Sequence, residues 1–202
     1  MTTAPTTSPA SLRDRKKVRT RRLLQEHALR LFADRGYAGT TVEDIAAAAD
    51  VSPRTFFRYF ASKEAVVLED EYDPLLFERM RRIDPGEPPV GAMRRIIASL
   101  LPDIYAEDRD RILARSRLIY GTPELASAVN GQLTDFERLL AGTLAEVHGR
   151  APDDLEARVV AAVSVAAMRC AIEQWVVADG TPDLGGLLDQ AFDVVERGLT
   201  LG

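Results

Sequence analysis

Apolar residues recur along this chain at helical spacing almost from end to end. Leu24, Ala28, Leu31 and Phe32 stand at i, i+4, i+7 and i+8, and Gly36 follows where a helix C-cap belongs. This predicts a first helix over residues 14–35. Thr40-Thr41-Val42-Glu43 reads as a capping box for a short helix over 42–49, with Thr40 bonding back to the Glu43 amide and Thr41 with Asp44 as the alternative. Ser52 then Pro53 opens another short helix over 53–60, Ser52 as N-cap and Pro53 at the first position, where its missing N–H costs nothing. Two short helices joined by about three residues are a helix-turn-helix signal. Ser62 caps a longer helix over 63–82, with a kink or restart at Asp73-Pro74. The stretch Asp84 to Pro89 is a loop. Helices follow over 90–106, 108–119, 123–148, 153–178 and 184–199, with a kink at Pro102. The fold class is all-α. A disordered tail (1–11) precedes a three-helix helix-turn-helix domain (12–62) and a helical ligand-binding and dimerisation domain (63–202).

Charge changes the picture. Over the 202 residues the formal net charge is −5, which speaks against a protein that coats nucleic acid without selection. Yet residues 1–64 hold twelve Lys and Arg against seven Asp and Glu, and the rest holds fourteen against twenty-four. A basic head on an acidic body calls for an anionic partner at one end only. The lone Cys170 makes no internal disulfide, and His27 and His148 stand too far apart in the chain to build a zinc site with it. MTTAPTTSPA lacks the apolar stretch of a signal peptide, and no apolar run spans a bilayer, so a cytoplasmic protein is expected.

On a helical wheel Phe56, Phe60 and Pro53 share one side of the second short helix. With Leu31, Ile45, Ala46 and Val51 they would build a small core. Arg54, Thr55, Arg58 and Tyr59 point away, with Phe57 between. Such a surface suits a DNA major groove: arginine pairs with guanine O6 and N7, threonine meets a base edge and tyrosine bonds phosphate. Lys63 and Thr41, at helix N-termini, can add phosphate contacts. The plain alternative is a solvated basic face.

The run TTVEDIAAAADVSPRTFFRYFASKEAVV, residues 40–67, with LFADRGY before it, resembles the DNA-binding signature of the tetracycline-repressor (TetR) family of bacterial transcription regulators. The resemblance covers about residues 18–68. It implies that Thr41, Arg54, Thr55, Phe57, Tyr59 and Lys63 match positions that touch DNA, and Arg58 joins them from its place on the outward face. Asp50 departs from the glycine usual in the turn, and should adopt the left-handed conformation that Asp tolerates. The last part, including DDLEARVVAAVSVAAMRCAIEQWV, looks like a C-terminal domain of actinobacterial members, some of which respond to acyl-CoA thioesters.

The 153–178 helix is apolar nearly all round and needs cover on two sides. The 184–199 helix carries a stripe from Leu184 to Leu199. The resemblance implies that both pair with their twofold mates in a homodimer; the alternative is that both fill a monomer core. A ligand pocket is expected among the middle helices, with Tyr105, Arg117, Tyr120, Phe136, Met168, Arg169 and Trp175 as candidates, each of which could also be ordinary core or surface. Arg169 either pairs with Glu173 one turn on or faces an anionic ligand group. The expected function is a ligand-responsive repressor, dimeric on a palindromic operator and released by a small hydrophobic or acyl-CoA-like effector. An activator or ligand-independent regulator with the same head is the second reading. A helical enzyme is disfavoured: there is no phosphate-binding glycine loop, metal cluster or nucleophile–base pairing, and no cofactor is called for.

Overall fold

The computed structural model describes residues 12–69 and 72–200, which form nine helices and no strand. The 1–11 tail lies outside the described residues, as do the side chains of residues 12–15 and of Asp73. Two compact units divide the chain, Met1–Val67 and Leu68–Gly202.

The first unit holds α1 (Leu12–Arg35), α2 (Val42–Ala48) and α3 (Pro53–Tyr59), followed by α4 (Ala65–Leu68), which ends at the division. Leu24, Ala28 and Phe32 of α1 are buried against Ile45, Ala46, Phe56 and Phe60. Each large side chain taken from water here contributes about 1.5–3 kcal/mol. Pro53, by contrast, is exposed, and Leu31 and Val51 only half-buried. At the first turn of a helix the proline ring lies outside the packed face. Gly36 closes α1 with φ +76°, a conformation that suits glycine, and its N–H donates to the Phe32 carbonyl at 3.0 Å. The cap of α2 is the Thr41–Asp44 pair. Thr41 Oγ1 accepts from the Asp44 N–H at 3.1 Å, and the Asp44 carboxylate accepts from the Thr41 N–H at 2.9 Å. Thr40 is buried instead, its hydroxyl donating to the Gly36 carbonyl at 3.0 Å. In the turn Asp50 takes φ +52°, the left-handed conformation expected of it. Ser52 Oγ then caps α3 by accepting from the Thr55 N–H at 3.1 Å.

The second unit holds α5 (Asp73–Met80), α6 (Pro89–Gly121), α7 (Pro123–Val147), α8 (Leu155–Val177) and α9 (Leu184–Glu196). Three expectations change. The 63–82 segment restarts at Asp73-Pro74 as expected, where Pro74 sits in the first turn and needs no N–H, but its first part is only the four-residue α4, Ala65–Leu68, and the N-cap of α5 is Tyr72 and not Asp73. The segments 90–106 and 108–119 are one 33-residue helix that runs through Pro102. The polar run around Asp108 contains no breaker, and Pro102 lies on the exposed side of the helix. α9 stops at Glu196, and Leu199 lies beyond it, exposed and with φ +60°. Among the described residues no helix is long and apolar enough to cross a membrane.

One core joins Met93, Leu140, Leu144 and Phe192, and a second gathers Leu113, Trp175, Leu184 and Leu188. Arg94 ties α6 to α9 through Asp189 Oδ1 at 2.7 Å and Glu196 Oε2 at 2.5 Å. The α8–α9 turn is tight. A Cβ on Gly180 (φ +74°) would stand 2.5 Å from Leu113 Cδ2, and the Gly180 carbonyl accepts from Arg109 Nη2 at 2.6 Å. α8 buries Ala161, Val165, Ala171 and Trp175, yet leaves Leu155, Val159 and Val177 exposed by 70%, 51% and 88%.

Candidate nucleic-acid interface and ligand cavity

Because Phe56 and Phe60 anchor α3 to the core, the intervening residues turn outward. Arg54 and Arg58 are exposed, Thr55 and Tyr59 half-buried, and the Phe57 ring is open to solvent, edge-on to Phe56 at 5.5 Å between centroids. Thr55 Oγ1 lies 3.0 Å from Ser52 Oγ, so the cap also orients the hydroxyl. The Arg58 guanidinium sits 5.2 Å from the Tyr59 ring centre. Burial pulls the Tyr59 hydroxyl upward, but the Thr20 hydroxyl and the charges of Arg58 and Lys17 outweigh it and hold it below the usual tyrosine range. Thr41 is exposed at the start of α2. α3 therefore offers two guanidiniums, one hydroxyl and a phenol on one short element, with the Thr41 hydroxyl at the start of α2, a set of the kind that can meet base edges and phosphates.

Lys63 has a second task. Its Nζ donates to the carbonyls of Tyr37 at 2.9 Å and Thr40 at 3.0 Å, and lies 4.1 Å from the Tyr37 ring centre. The Tyr37 hydroxyl in turn donates to Glu64 Oε1 at 2.7 Å. Two of the three ammonium N–H groups thus fasten the α1–α2 turn, and one remains to offer a phosphate. The sequence shows the lysine but not this clip, whose partners lie 23 and 26 residues away. Lys63→Met keeps the apolar stem and removes the donors. It is expected to cost about 1.5–3 kcal/mol, read as a lower urea midpoint for the first unit. An unchanged midpoint would mean that the clip contributes nothing in solution.

In the second unit Tyr120, Phe136, Met168 and Arg169 line one cavity of about 200 Å³, together with Arg115 and Gln132. Arg169 makes the pair considered for it, Nη1 donating to Glu173 Oε1 at 2.7 Å, and it also lines the cavity. Burial raises the pKa of the Tyr120 phenol. The structure does not bring the other three candidates there. Trp175 is fully buried in the second core, beside Tyr105 at 5.8 Å between ring centres, because the large indole fills the space under the α8–α9 turn. Tyr105 lines a separate groove of about 530 Å³ between α6 and α9, where burial pushes its phenol up to about 12. Arg117 is turned to the surface and bonded to the carbonyl and carboxylate of Asp179.

One cluster escaped the sequence reading. Asp108, only 4% exposed, accepts from Arg111 Nε at 3.1 Å and Nη2 at 3.0 Å, and from the Tyr72 hydroxyl. The i, i+3 spacing of Asp108 and Arg111 was visible, but not the burial that gives the pair its weight.

Comparison with known proteins matches this arrangement at both ends. The family model for bacterial regulatory proteins of the tetR family matches residues 24–69, and that for the MftR C-terminal domain matches residues 87–200. The chain belongs to the TetR family. Among TetR-family relatives it is 34% identical to the HTH-type transcriptional regulator TcmR of Streptomyces glaucescens, over 89% of this chain and 83% of TcmR. It is 29% identical to the putative mycofactocin biosynthesis transcriptional regulator MftR of Mycobacterium tuberculosis, over 92% and 93%. A solved structure of Thermus thermophilus FadR, a TetR-family repressor in complex with lauroyl-CoA, superposes with a TM-score of 0.54 at 26% identity, covering 90% of this chain and 96% of FadR. This TetR-family chain is thus a transcriptional regulator and not an enzyme. Regulators of the family bind DNA operators and small-molecule effectors and act as dimers. All seven residues selected for DNA contact lie inside the matched N-terminal segment, and the cavity lies mainly inside the matched C-terminal one.

Proposed function

We propose that the protein is a homodimeric repressor that reads a palindromic operator with Thr41, Arg54, Thr55, Phe57, Arg58, Tyr59 and Lys63, and is released by a small hydrophobic or acyl-thioester effector. The observation that carries this reading is the outward face of α3, rigidly capped by Ser52 and anchored by Phe56. One short helix makes few contacts, and two copies one DNA turn apart, about 34–36 Å, double them. The exposed Leu155, Val159 and Val177 of α8 support an interface through the last two helices, since such a stripe needs a partner.

The effector enters the cavity of Tyr120, Phe136, Met168 and Arg169, apolar along one wall and cationic at another. At about 200 Å³ it is smaller than the roughly 300–1,000 Å³ of drug-sized sites, so an acyl chain must widen it. The ligand thereby favours an altered body conformation, and its differential affinity sets how far the operator-bound state is depleted. FadR, found with lauroyl-CoA, makes that thioester the first probe. A gel shift with palindromic DNA from the intergenic region beside the gene tests the whole reading. Lauroyl-CoA is expected to release the DNA, whereas free coenzyme A is not. Release by neither, with lauroyl-CoA shown not to bind, would remove acyl thioesters as the effector class.

A further inference from the structure

A second space adjoins the effector cavity. Beyond Leu68, Gln132 and Phe136 lies a groove of about 550 Å³, walled by Pro74 and Phe77 of α5 and by Leu139 of α7. Leu68, Gln132 and Phe136 line cavity and groove alike, so a single layer of side chains divides the two. The helical period of α7 places them: Val129, Leu133 and Phe136 face the cavity, Phe136 and Leu139 the groove. Phe136 stands where the faces meet. It is half-buried, and its ring leans on the buried Phe77 with 5.1 Å between centroids. Turning it about χ1 gives up that contact and leaves Phe77 in the core. Charge distinguishes the two spaces. The cavity is lined by Arg115 and Arg169 and by no carboxylate, the groove by Glu69 and Asp135 against Arg81. Phosphates are attracted to the first and repelled by the second. The side chain of Arg169 is 39% exposed, so phosphates can meet it while still in water. Cavity and groove joined fall within the roughly 300–1,000 Å³ of drug-sized sites, which the cavity alone does not reach.

We propose that Phe136 is a chain-length gate for the acyl effector. The head group stays at Arg169 and the acyl chain fills the cavity. The end of a long chain turns the Phe136 ring aside and lies in the groove between Phe77 and Leu139. This rests on the cavity being the acyl-thioester site. A short acyl group stops at the closed ring. A long one gives up the Phe136–Phe77 contact and gains the apolar groove in exchange, so each further methylene adds to its affinity. Phe136 thereby selects chain length at a distance from the head group.

Isothermal titration of the full chain with hexanoyl-CoA and palmitoyl-CoA tests this on the wild type, Phe136→Ala and Leu139→Trp. Phe136→Ala is expected to bind palmitoyl-CoA about two- to thirteen-fold more tightly, the equivalent of one aromatic pair that no longer has to be broken. Hexanoyl-CoA, which loses the ring as an end wall, binds it more weakly. Leu139→Trp changes a side chain that is 49% exposed and fills the groove from outside. It is expected to weaken palmitoyl-CoA about fifteen- to sixty-fold, two or three methylenes being left in water, and to leave hexanoyl-CoA unmoved. Equal unfolding midpoints show that the fold is intact, and Leu139→Trp decides the matter even if Phe136→Ala fails to fold. A ratio of palmitoyl-CoA to hexanoyl-CoA affinity that is the same in all three chains overturns the gate, as does palmitoyl-CoA binding that Leu139→Trp leaves intact. A wild-type chain that binds neither thioester overturns the acyl-thioester reading itself, and is distinguishable because it needs no variant to appear.

Discussion

Arg54→Ala is expected to abolish selective operator binding while leaving the fold unchanged. Arg54 stands in the first turn of α3, exposed, beside the cap that fixes the helix start. The N-terminal residues of a recognition helix are those that reach base edges. A bidentate arginine–guanine pair contributes about 1–3 kcal/mol of discrimination. Two copies in a dimer lose about 2–6 kcal/mol, roughly a thirty- to twenty-thousand-fold weakening. Residual binding should equal that on random DNA, because the phosphate contacts survive. Arg54→Lys is the sharper control: it keeps the charge and loses the planar fork, so selectivity should fall nearly as far. Arg54→Ala with an unaltered preference among bases would assign the reading to other residues.

The second large effect lies in the body. Asp108→Ala is expected to cost about 3–5 kcal/mol, because it leaves the Arg111 guanidinium, 16% exposed, without its carboxylate. Against a total stability of about 5–15 kcal/mol, that is about a fifth or more. Urea denaturation followed by circular dichroism measures it as a fall in midpoint. Asp108→Asn retains an acceptor for the Tyr72 hydroxyl and should fall between. Pairing Asp108→Leu with Arg111→Met removes both charges and should recover most of the loss. A midpoint that does not move in Asp108→Ala would show that water reaches the pair in solution.

The helices were legible because their signals are local. Ser52-Pro53, Gly36 and the Leu24–Phe32 spacing each act within one or two turns, and the structure keeps all three. The outward face of α3 followed from the same periodicity. Long-range choices were not legible. The sequence favours Thr40 with Glu43 as the cap, but Thr40 turns inward to the Gly36 carbonyl and Thr41 with Asp44 caps α2 instead. Trp175 looked like a ligand wall because its residue type suits one, but it is buried in the core with Leu113, Leu184 and Leu188, which come from α6 and α9. Arg169 resisted assignment because the i, i+4 pair with Glu173 is local, whereas its place on a cavity wall depends on how α6, α7 and α8 pack.

The clip made by Lys63 has a consequence for inheritance. Lys63, Tyr37, Thr40 and Glu64 close their bonds on one another before residue 67, where the first unit ends. The fastening of the DNA-reading surface is therefore encoded in one uninterrupted stretch of gene. A recombination event falling near codon 68 would hand that stretch whole to a new sensing body. A lineage can in this way change what it senses while keeping the bases it reads.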